Sequence, residues 1–179
     1  MDLRKLCERA LSDQAGLSTQ VTAFHKLYGL PIVPSHKAKL DLSHMTRERL
    51  AMRFNLIAEE FMELLEAMDI KANIQYFYLD EWNKYVQAVD LRDAIENTEE
   101  WDMVEVADAC GDLKYVIQGF ELEVGIPSNA VMQEIHASNM TKLGEDGKPI
   151  YRDDGKVLKG PHYQKADIRK QLCAYGVKP

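Results

Sequence analysis

Two separate acid-rich stretches constrain this chain more than any other part of its sequence. The first runs from Ile57 to Ala67 and the second from Glu105 to Asp112. Apolar residues recur through both at helical spacing, which predicts two amphipathic helices. Their carboxylates adjoin one another at i, i+3 and i, i+4, where like charges destabilise a helix unless something neutralises them. Acids placed this densely therefore call for a cation.

The first helix alone leaves two interpretations open. Glu60 borders its apolar stripe, and Glu63 and Glu59 come next around the helix. A solvated acidic face explains this arrangement about as well as a metal site does.

The second helix favours the metal site, because it is apolar on most of its circumference and is predicted to be central in the fold. Glu105, Asp108 and Asp112 fall within an arc of about 60° that also carries apolar residues. Ionised carboxylates are buried only when they pair with bases or coordinate metal. The nearest bases on the two helices are Arg53 and Lys114. A hard divalent cation, Mg²⁺ or alternatively Mn²⁺, suits such a carboxylate-only set.

The spacing of these acids resembles the signature of a known superfamily, the all-α nucleoside triphosphate pyrophosphohydrolases, which includes MazG-like and phosphoribosyl-ATP pyrophosphohydrolases. The matching residues are Glu59-Glu60-x-x-Glu63 and Glu105-x-x-Asp108, with Asp112 one turn further on. Whether Asp108 or Asp112 is the aspartate of the motif stays open. One departure from the compact members of the superfamily is the longer span between Ala67 and Trp101.

Three flanking segments are also similar to members of this group. They are Phe24–Pro31, Asn139–Lys142 and Gly155–Pro161, so that the resemblance covers about residues 17–168. It implies an all-α helical bundle, of the four-helix type, in a single domain over residues 1–179. It also implies Mg²⁺-dependent hydrolysis of a nucleoside triphosphate at the α-phosphorus, which gives the monophosphate and pyrophosphate.

The resemblance assigns roles to individual residues. Glu59 or Glu60 is expected to act as the general base. The expected metal ligands are Glu59, Glu60, Glu63, Glu105, Asp108 and Asp112. The expected substrate contacts are Asn139 and Lys142 at the phosphates, followed by Lys159 and Tyr163.

Several functions compete with an ordinary NTP or dNTP substrate. The nucleotide could be non-canonical or damaged, or it could be phosphoribosyl-ATP in histidine biosynthesis. A non-catalytic helical nucleotide-binding or interaction protein with acidic faces is a further alternative. A di-iron carboxylate bundle would require Glu-x-x-His pairs, which this sequence lacks.

Composition excludes other classes of protein. A formal net charge of −7 and a pI near 5.3 argue against a general nucleic-acid binder. The sequence has no apolar run of the roughly 20 residues that a membrane-spanning helix needs, and no signal peptide, so we expect a cytoplasmic protein. Its three cysteines lack CxxC spacing and are predicted to be reduced. Apolar helix faces predict a homodimer or homotetramer.

The other helices are predicted from their termini. A short helix is expected before Ala15. Ser18 and Ser128 are predicted N-caps, whereas Gly29 and Gly125 are predicted to end the helices that precede them.

Three further expectations concern segments near the acid helices and the tail. The first acid helix is predicted to run from about Met45 to Lys71. Residues 72–98 are predicted to add a packing helix or an oligomer contact. Residues 150–158, with Asp154-Gly155 at the turn, are predicted to form a small β-hairpin.

Overall fold

The computed structural model describes residues 2–12, 15–34, 42–70 and 101–177. Within these ranges the chain forms helices and no β-strand, so the predicted all-α class is confirmed. The helices are α1 (Leu3–Ala10), α2 (Leu17–Leu27), α3 (Arg47–Ala67), α4 (Met103–Val124), α5 (Ser128–Met140) and α6 (Ile168–Ala174). None of these helices is long and apolar enough to cross a membrane.

The chain divides into two compact units. Unit 1 comprises Met1–Arg49 and Gln118–Pro179, and unit 2 comprises Leu50–Ile117. Helices α3 and α4 therefore contribute residues to both units. The single domain over residues 1–179 stays a prediction.

Unit 1 is built from two packed helix pairs, α1 with α2 and α5 with α6. Its buried apolar residues are Leu6, Val21, Ala23, Ala130 and Val177. The start of α6 is held by a single carboxylate on α5. Glu134 Oε1 accepts the backbone N–H of Asp167 at 2.9 Å, and its Oε2 accepts the side-chain amide of Gln171 at 2.9 Å.

A buried ion pair joins the start of α3 to the end of α4 within unit 1. The Glu123 side chain is fully buried and accepts from Arg49 Nε at 2.8 Å and from Nη2 at 2.5 Å. His44 Nε2 donates to the backbone carbonyl of Glu123 at 3.0 Å. Since a bidentate guanidinium–carboxylate pair fixes both distance and orientation, it holds these two helix ends in one register.

The predicted glycine helix ends are confirmed. Gly29 and Gly125 have φ values of 66° and 73°. The backbone N–H of Leu30 donates to the carbonyl of His25 at 2.8 Å, which is the 6→1 hydrogen bond of the Schellman motif that ends a helix at a glycine. Ile126 makes the equivalent bond to Glu121 at 2.9 Å.

The two predicted serine caps are wrong. Gly16 and Pro127 occupy the N-cap positions, and Ser18 and Ser128 already lie inside their helices. The Ser128 hydroxyl instead accepts a hydrogen bond from Gln118 Nε2 at 2.9 Å. A tertiary partner has therefore replaced the local backbone N–H that a capping serine would bind.

Helix α3 ends at Ala67, before the predicted Lys71. The backbone N–H of Ile70 donates to the Leu65 carbonyl at 2.8 Å, and Asp69 has a φ of 52°. Aspartate is one of the few residues apart from glycine that adopts this left-handed conformation, so it can end the helix. The predicted packing helix in 72–98 lies outside the described residues.

The predicted β-hairpin is not supported. Residues 142–160 contain two isolated antiparallel bridges, Leu143 with Pro149 and Tyr151 with Val157, rather than strands. Two glycine turns follow each other closely here, with φ values of 72° at Gly147 and 83° at Gly155. Each bridge encloses one of these turns, and the closeness of the turns leaves the pairing around each too short to form a ladder.

The tail segment is held in place by a close backbone contact at Gly160. A Cβ atom there would lie 1.8 Å from the Leu143 carbonyl oxygen. Gly160→Ala must therefore displace backbone, and we expect it to lower the free energy of unfolding by about 1–3 kcal/mol. Urea unfolding would measure this change.

Gly111→Ala is the control for that substitution, because a Cβ at this position would meet nothing within 4 Å. Alanine within a helix is more stable than glycine by about 0.5–1 kcal/mol. The control should therefore be neutral or stabilising. Equal stability of the two variants would contradict the close contact at Gly160.

Candidate active site

The acid site lies in unit 2, on α3 and α4. The pKa of Glu60 shows that carboxylates of both helices lie near one another. This pKa is raised above the ordinary value, first by partial burial and then by the negative charges of Glu63, Asp112, Glu59 and Asp108. Two of these charges come from the same helix and two from the other, so the predicted acids share one electrostatic environment.

An adjoining cavity of about 700 Å³ extends the acid set beyond the predicted residues. Its acidic lining consists of Glu63, Glu66 and Asp69 from α3 and the turn that follows, and of Asp102, Glu105 and Asp108 at the start of α4. The predicted ligand Glu105 is thereby placed in the same site.

Three of the lining acids, Glu66, Asp69 and Asp102, were missed by the sequence analysis. The sequence contained a signal for Glu66, because the interval of three residues from Glu60 to Glu63 continues to Glu66. Asp102 has a second role, since its side chain accepts the backbone N–H of Val104 at 2.9 Å and so caps α4.

The prediction that the acids of α4 are buried is wrong. Glu105, Asp108 and Asp112 are exposed, as are Glu59 and Glu63 on α3, and only Glu60 is half-buried. At the start of α4 the apolar side chains are also exposed, Val104 by 76% and Met103 by 63%, whereas Ala109 further along the helix is 4% exposed. Helical periodicity shows that a face is apolar but does not show what covers it.

The donor chemistry of this site suits a hard divalent cation, since every candidate ligand is a carboxylate oxygen. The arrangement of these carboxylates does not, however, complete a metal site. No three Asp, Glu, His or Cys residues of the described part of the chain gather in an arrangement that could hold a metal ion. Four of the described carboxylates thus act on Glu60, and Glu63, Glu105 and Asp108 line the cavity, but these groups do not form a closed ligand set.

The raised pKa of Glu60 predicts how stability depends on pH. The folded state binds the Glu60 proton more tightly than the unfolded state, so this group lowers stability as pH rises above the ordinary pKa of 4.5. Glu60→Gln removes the repulsion. We expect it to stabilise the metal-free protein at about pH 7.5, by roughly 0.5 kcal/mol, and to have less effect at about pH 4.

Thermal unfolding in chelator at both pH values tests this prediction. Glu48→Gln on the same helix is the control, because hydrogen bonds to its own backbone N–H and to Thr46 lower the pKa of Glu48. Its neutralisation should give no gain at neutral pH. A Glu60→Gln variant that is less stable than the parent at neutral pH would contradict the conclusion that the neighbouring acids repel the Glu60 carboxylate.

The second predicted set of site residues lies in unit 1, at the end of α5 and in the tail. Lys159 Nζ lies 4.7 Å from the centroid of the Tyr163 ring, and the charge of Lys142 also acts on the Tyr163 hydroxyl. Three of the four predicted substrate contacts are thus brought together. Asn139 is exposed on the last turn of α5, and its carbonyl accepts the backbone N–H of Lys142 at 3.2 Å.

Lys165 joins this set although the sequence analysis did not select it. The pKa of Tyr163 is lowered, first by the hydrogen bond with Ser138 and then by the positive charges of Lys159, Lys142 and Lys165. We call these three lysines together with Tyr163 the lysine cluster.

One comparison with known proteins identifies a family. The family model for phosphoribosyl-ATP pyrophosphohydrolase matches residues 34–139, which is more than half of the chain and includes all six acids predicted to bind metal. A search of curated proteins gave no significant match.

Proposed function

Because the chain belongs to the phosphoribosyl-ATP pyrophosphohydrolase family, within the all-α nucleoside triphosphate pyrophosphohydrolases, we propose a nucleoside triphosphate as its substrate. Members of this family are pyrophosphohydrolases that act on phosphoanhydride bonds. The proposed substrate is an NTP or dNTP, including non-canonical ones, and the proposed products are the monophosphate and pyrophosphate.

The observation that carries this proposal is the convergence of carboxylates from α3 and α4 on Glu60. The acids proposed to hold Mg²⁺, or Mn²⁺ in its place, are Glu59, Glu60, Glu63, Glu105, Asp108 and Asp112. When bound, such an ion polarises phosphate oxygens and makes water more acidic. It would also neutralise the mutual repulsion that raises the pKa of Glu60.

The acids of α3 have a second proposed role in proton transfer. A water oxygen forms a bond to the α-phosphorus, and the bond from that phosphorus to the bridging oxygen breaks. Glu60 or Glu59 accepts the proton that the water loses.

Lys142 is proposed to contact the phosphates together with Asn139, Lys159 and Tyr163. Lys142→Ala should raise KM by about 5–10-fold with a smaller change in kcat, because it removes one charge-assisted hydrogen bond. Steady-state kinetics would measure both constants. Lys148→Ala is the control, since Lys148 is exposed in the same tail and is not among the charges that act on Tyr163. Unchanged kinetics in Lys142→Ala would remove Lys142 from the site.

Product analysis tests the proposed reaction. Chromatography of a reaction with a nucleoside triphosphate should show the monophosphate and pyrophosphate in equal amounts. A diphosphate with inorganic phosphate would place the cleavage at the γ-phosphorus and overturn the proposal.

A second candidate substrate is phosphoribosyl-ATP, which is favoured by the description of the matching family model. The same acids would cleave the same bond in this molecule. Pyrophosphate release from phosphoribosyl-ATP, with none from any NTP or dNTP, would select this candidate.

A homodimer or homotetramer is also proposed, because the apolar side chains Met103, Val104 and Ile117 on α4 are exposed in the single chain. Analytical ultracentrifugation would test it. A monomer at micromolar concentration would contradict the proposal.

A further inference from the structure

The tail of the chain contains two consecutive copies of one eight-residue unit. Residues 143–150 read Leu-Gly-Glu-Asp-Gly-Lys-Pro-Ile, and residues 151–158 read Tyr-Arg-Asp-Asp-Gly-Lys-Val-Leu. Both copies carry Asp-Gly-Lys at the same three positions, so an aspartate is followed directly by glycine at Asp146 and again at Asp154. The second copy is therefore a matched comparison for the first.

The two copies also fold alike. In each, an antiparallel bridge joins the first residue of the unit to the seventh. The backbone N–H of Gly147 donates to the Gly144 carbonyl at 3.0 Å, and that of Gly155 donates to the Arg152 carbonyl at 2.8 Å. Both Gly147 and Gly155 have a positive φ. Differences in chemistry between the copies must therefore come from their side chains.

The aspartate side chain of each copy is exposed and is held against the backbone of its own turn. Its Oδ1 accepts the backbone N–H of the lysine two residues later, at 3.0 Å for Asp146 and at 3.2 Å for Asp154. The residue between them is glycine, which has no Cβ to hinder the approach of a carboxyl group to its backbone nitrogen. Each turn thus holds an acid close to a nitrogen that can attack it.

An aspartyl-glycyl sequence can rearrange with no reactant other than water. The glycine nitrogen forms a bond to the side-chain carboxyl carbon, and the carboxyl hydroxyl leaves as water together with the amide hydrogen. Water then adds to the main-chain carbonyl carbon of this succinimide and breaks its bond to the nitrogen. The product is isoaspartate, in which the main chain runs through the side chain. The neutral acid is the form that reacts, because a carboxylate has no hydroxyl to lose.

The two copies differ at their second residue, which is Gly144 in the first and Arg152 in the second. Arg152 Nε donates to Asp154 Oδ1 at 2.9 Å, and its Nη2 forms an ion pair with the other carboxylate oxygen. This pairing lowers the pKa of Asp154 and restrains both of its oxygens. Gly144 has no side chain that could do the same for Asp146.

We propose that the Asp146–Gly147 sequence is an isoaspartate-forming modification site, and that Arg152 protects the matching Asp154–Gly155 sequence by holding its carboxylate in a bidentate ion pair. The modification would insert one more carbon into the main chain of a tight turn. That turn is closed by the backbone N–H of Gly144, which donates to the Lys148 carbonyl at 2.7 Å. The site does not depend on the proposed function.

Ageing of the full-length protein at mildly acid pH, followed by peptide mapping, tests this site. Endoproteinase Asp-N cuts before aspartate but not before isoaspartate, and electron-transfer mass spectrometry identifies the modified position. We expect isoaspartate to accumulate about 3–5-fold faster at Asp146 than at Asp154, which is the effect of an exposed ion pair near the upper end of its range. Concentrated salt should reduce this difference, because it screens the pair.

Substitutions separate the ion pair from the rest of the turn. Arg152→Gln should raise the rate at Asp154 by about 3–5-fold, to the rate at Asp146. Lys156→Gln is the matched control, because it removes a positive charge from the same turn but keeps the backbone N–H that Asp154 accepts. It should leave the rate at Asp154 unchanged. Asp146→Glu should abolish the modification of the first copy, since glutamate would have to close a larger ring.

The chain unfolded in concentrated urea supplies the reference, because the turns are lost and the two rates should become equal. A difference that persists in urea would assign the effect to local sequence and overturn the protection by Arg152. Equal rates at Asp146 and Asp154 in the folded parent, or an unchanged rate at Asp154 in Arg152→Gln, would overturn it as well. If isoaspartate forms at Asp146 in urea but not in the folded protein, the modification site itself is overturned.

Discussion

Glu63→Gln is expected to lower pyrophosphate release by at least about 100-fold while the fold is retained. Glu63 is placed in the acid site twice, because its charge acts on Glu60 and its side chain lines the adjoining cavity. Glutamine keeps the size and helix propensity of glutamate but removes the charge. Asp108→Asn should have a similar effect for the same two reasons. Initial rates with Mg²⁺ and saturating substrate would measure both losses.

Glu121→Gln is the matched control, because it makes the same change on α4 outside the acid site. Its rate should stay within about twofold of the parent, the scale of an ordinary surface substitution. Circular dichroism of the variants would show that helix content is kept. Parent-like rates in Glu63→Gln or Asp108→Asn would contradict the assignment of that residue to the site.

Arg49→Met is expected to lower the free energy of unfolding by about 3 kcal/mol, because it removes a bidentate guanidinium partner from a fully buried carboxylate. Arg49 makes two hydrogen bonds to Glu123, and its own side chain is 24% exposed. Urea unfolding monitored by circular dichroism would measure the loss. The double variant Arg49→Met/Glu123→Met should recover part of it, since the carboxylate that lost Arg49 is removed as well.

The control for Arg49 is an exposed pair in the same unit. Arg4 and Glu8 are linked at 3.1 Å on α1, with their side chains 85% and 62% exposed. Arg4→Met should therefore change stability by less than about 0.5 kcal/mol. If Arg4→Met and Arg49→Met lower the free energy of unfolding equally, the burial of Glu123 does not determine how much its ion pair with Arg49 stabilises the fold.

Helical periodicity was sufficient to predict α3 and α4 and to predict that their acids would share one environment. The apolar stripe sets the orientation of each helix, and the acids occupy fixed positions beside it. The continuation of the acid lining to Asp69 and Asp102 was not predicted, because it depends on how α3 ends and α4 begins. Those ends are the least regular part of a helix pattern.

Long-range and short-range polar contacts explain the other differences. The Arg49–Glu123 pair joins residues far apart in sequence, and no local pattern marks either one as buried. Ser128 resembles a cap in sequence but bonds to Gln118 in the structure. Lys165 lies two residues from Tyr163 in the sequence, but nothing in the sequence pattern indicates that its charge acts on the Tyr163 hydroxyl.

The proposed function requires the acids of α3 and α4 to take part in cleaving a phosphoanhydride bond. Its most direct test is pyrophosphate release from a panel of NTPs, dNTPs and phosphoribosyl-ATP, each with Mg²⁺ and with chelator, using Glu63→Gln as the blank. We expect release that requires the metal and disappears in the blank. Release of equal rate from the parent and from Glu63→Gln, or no release from any member of the panel, would contradict it.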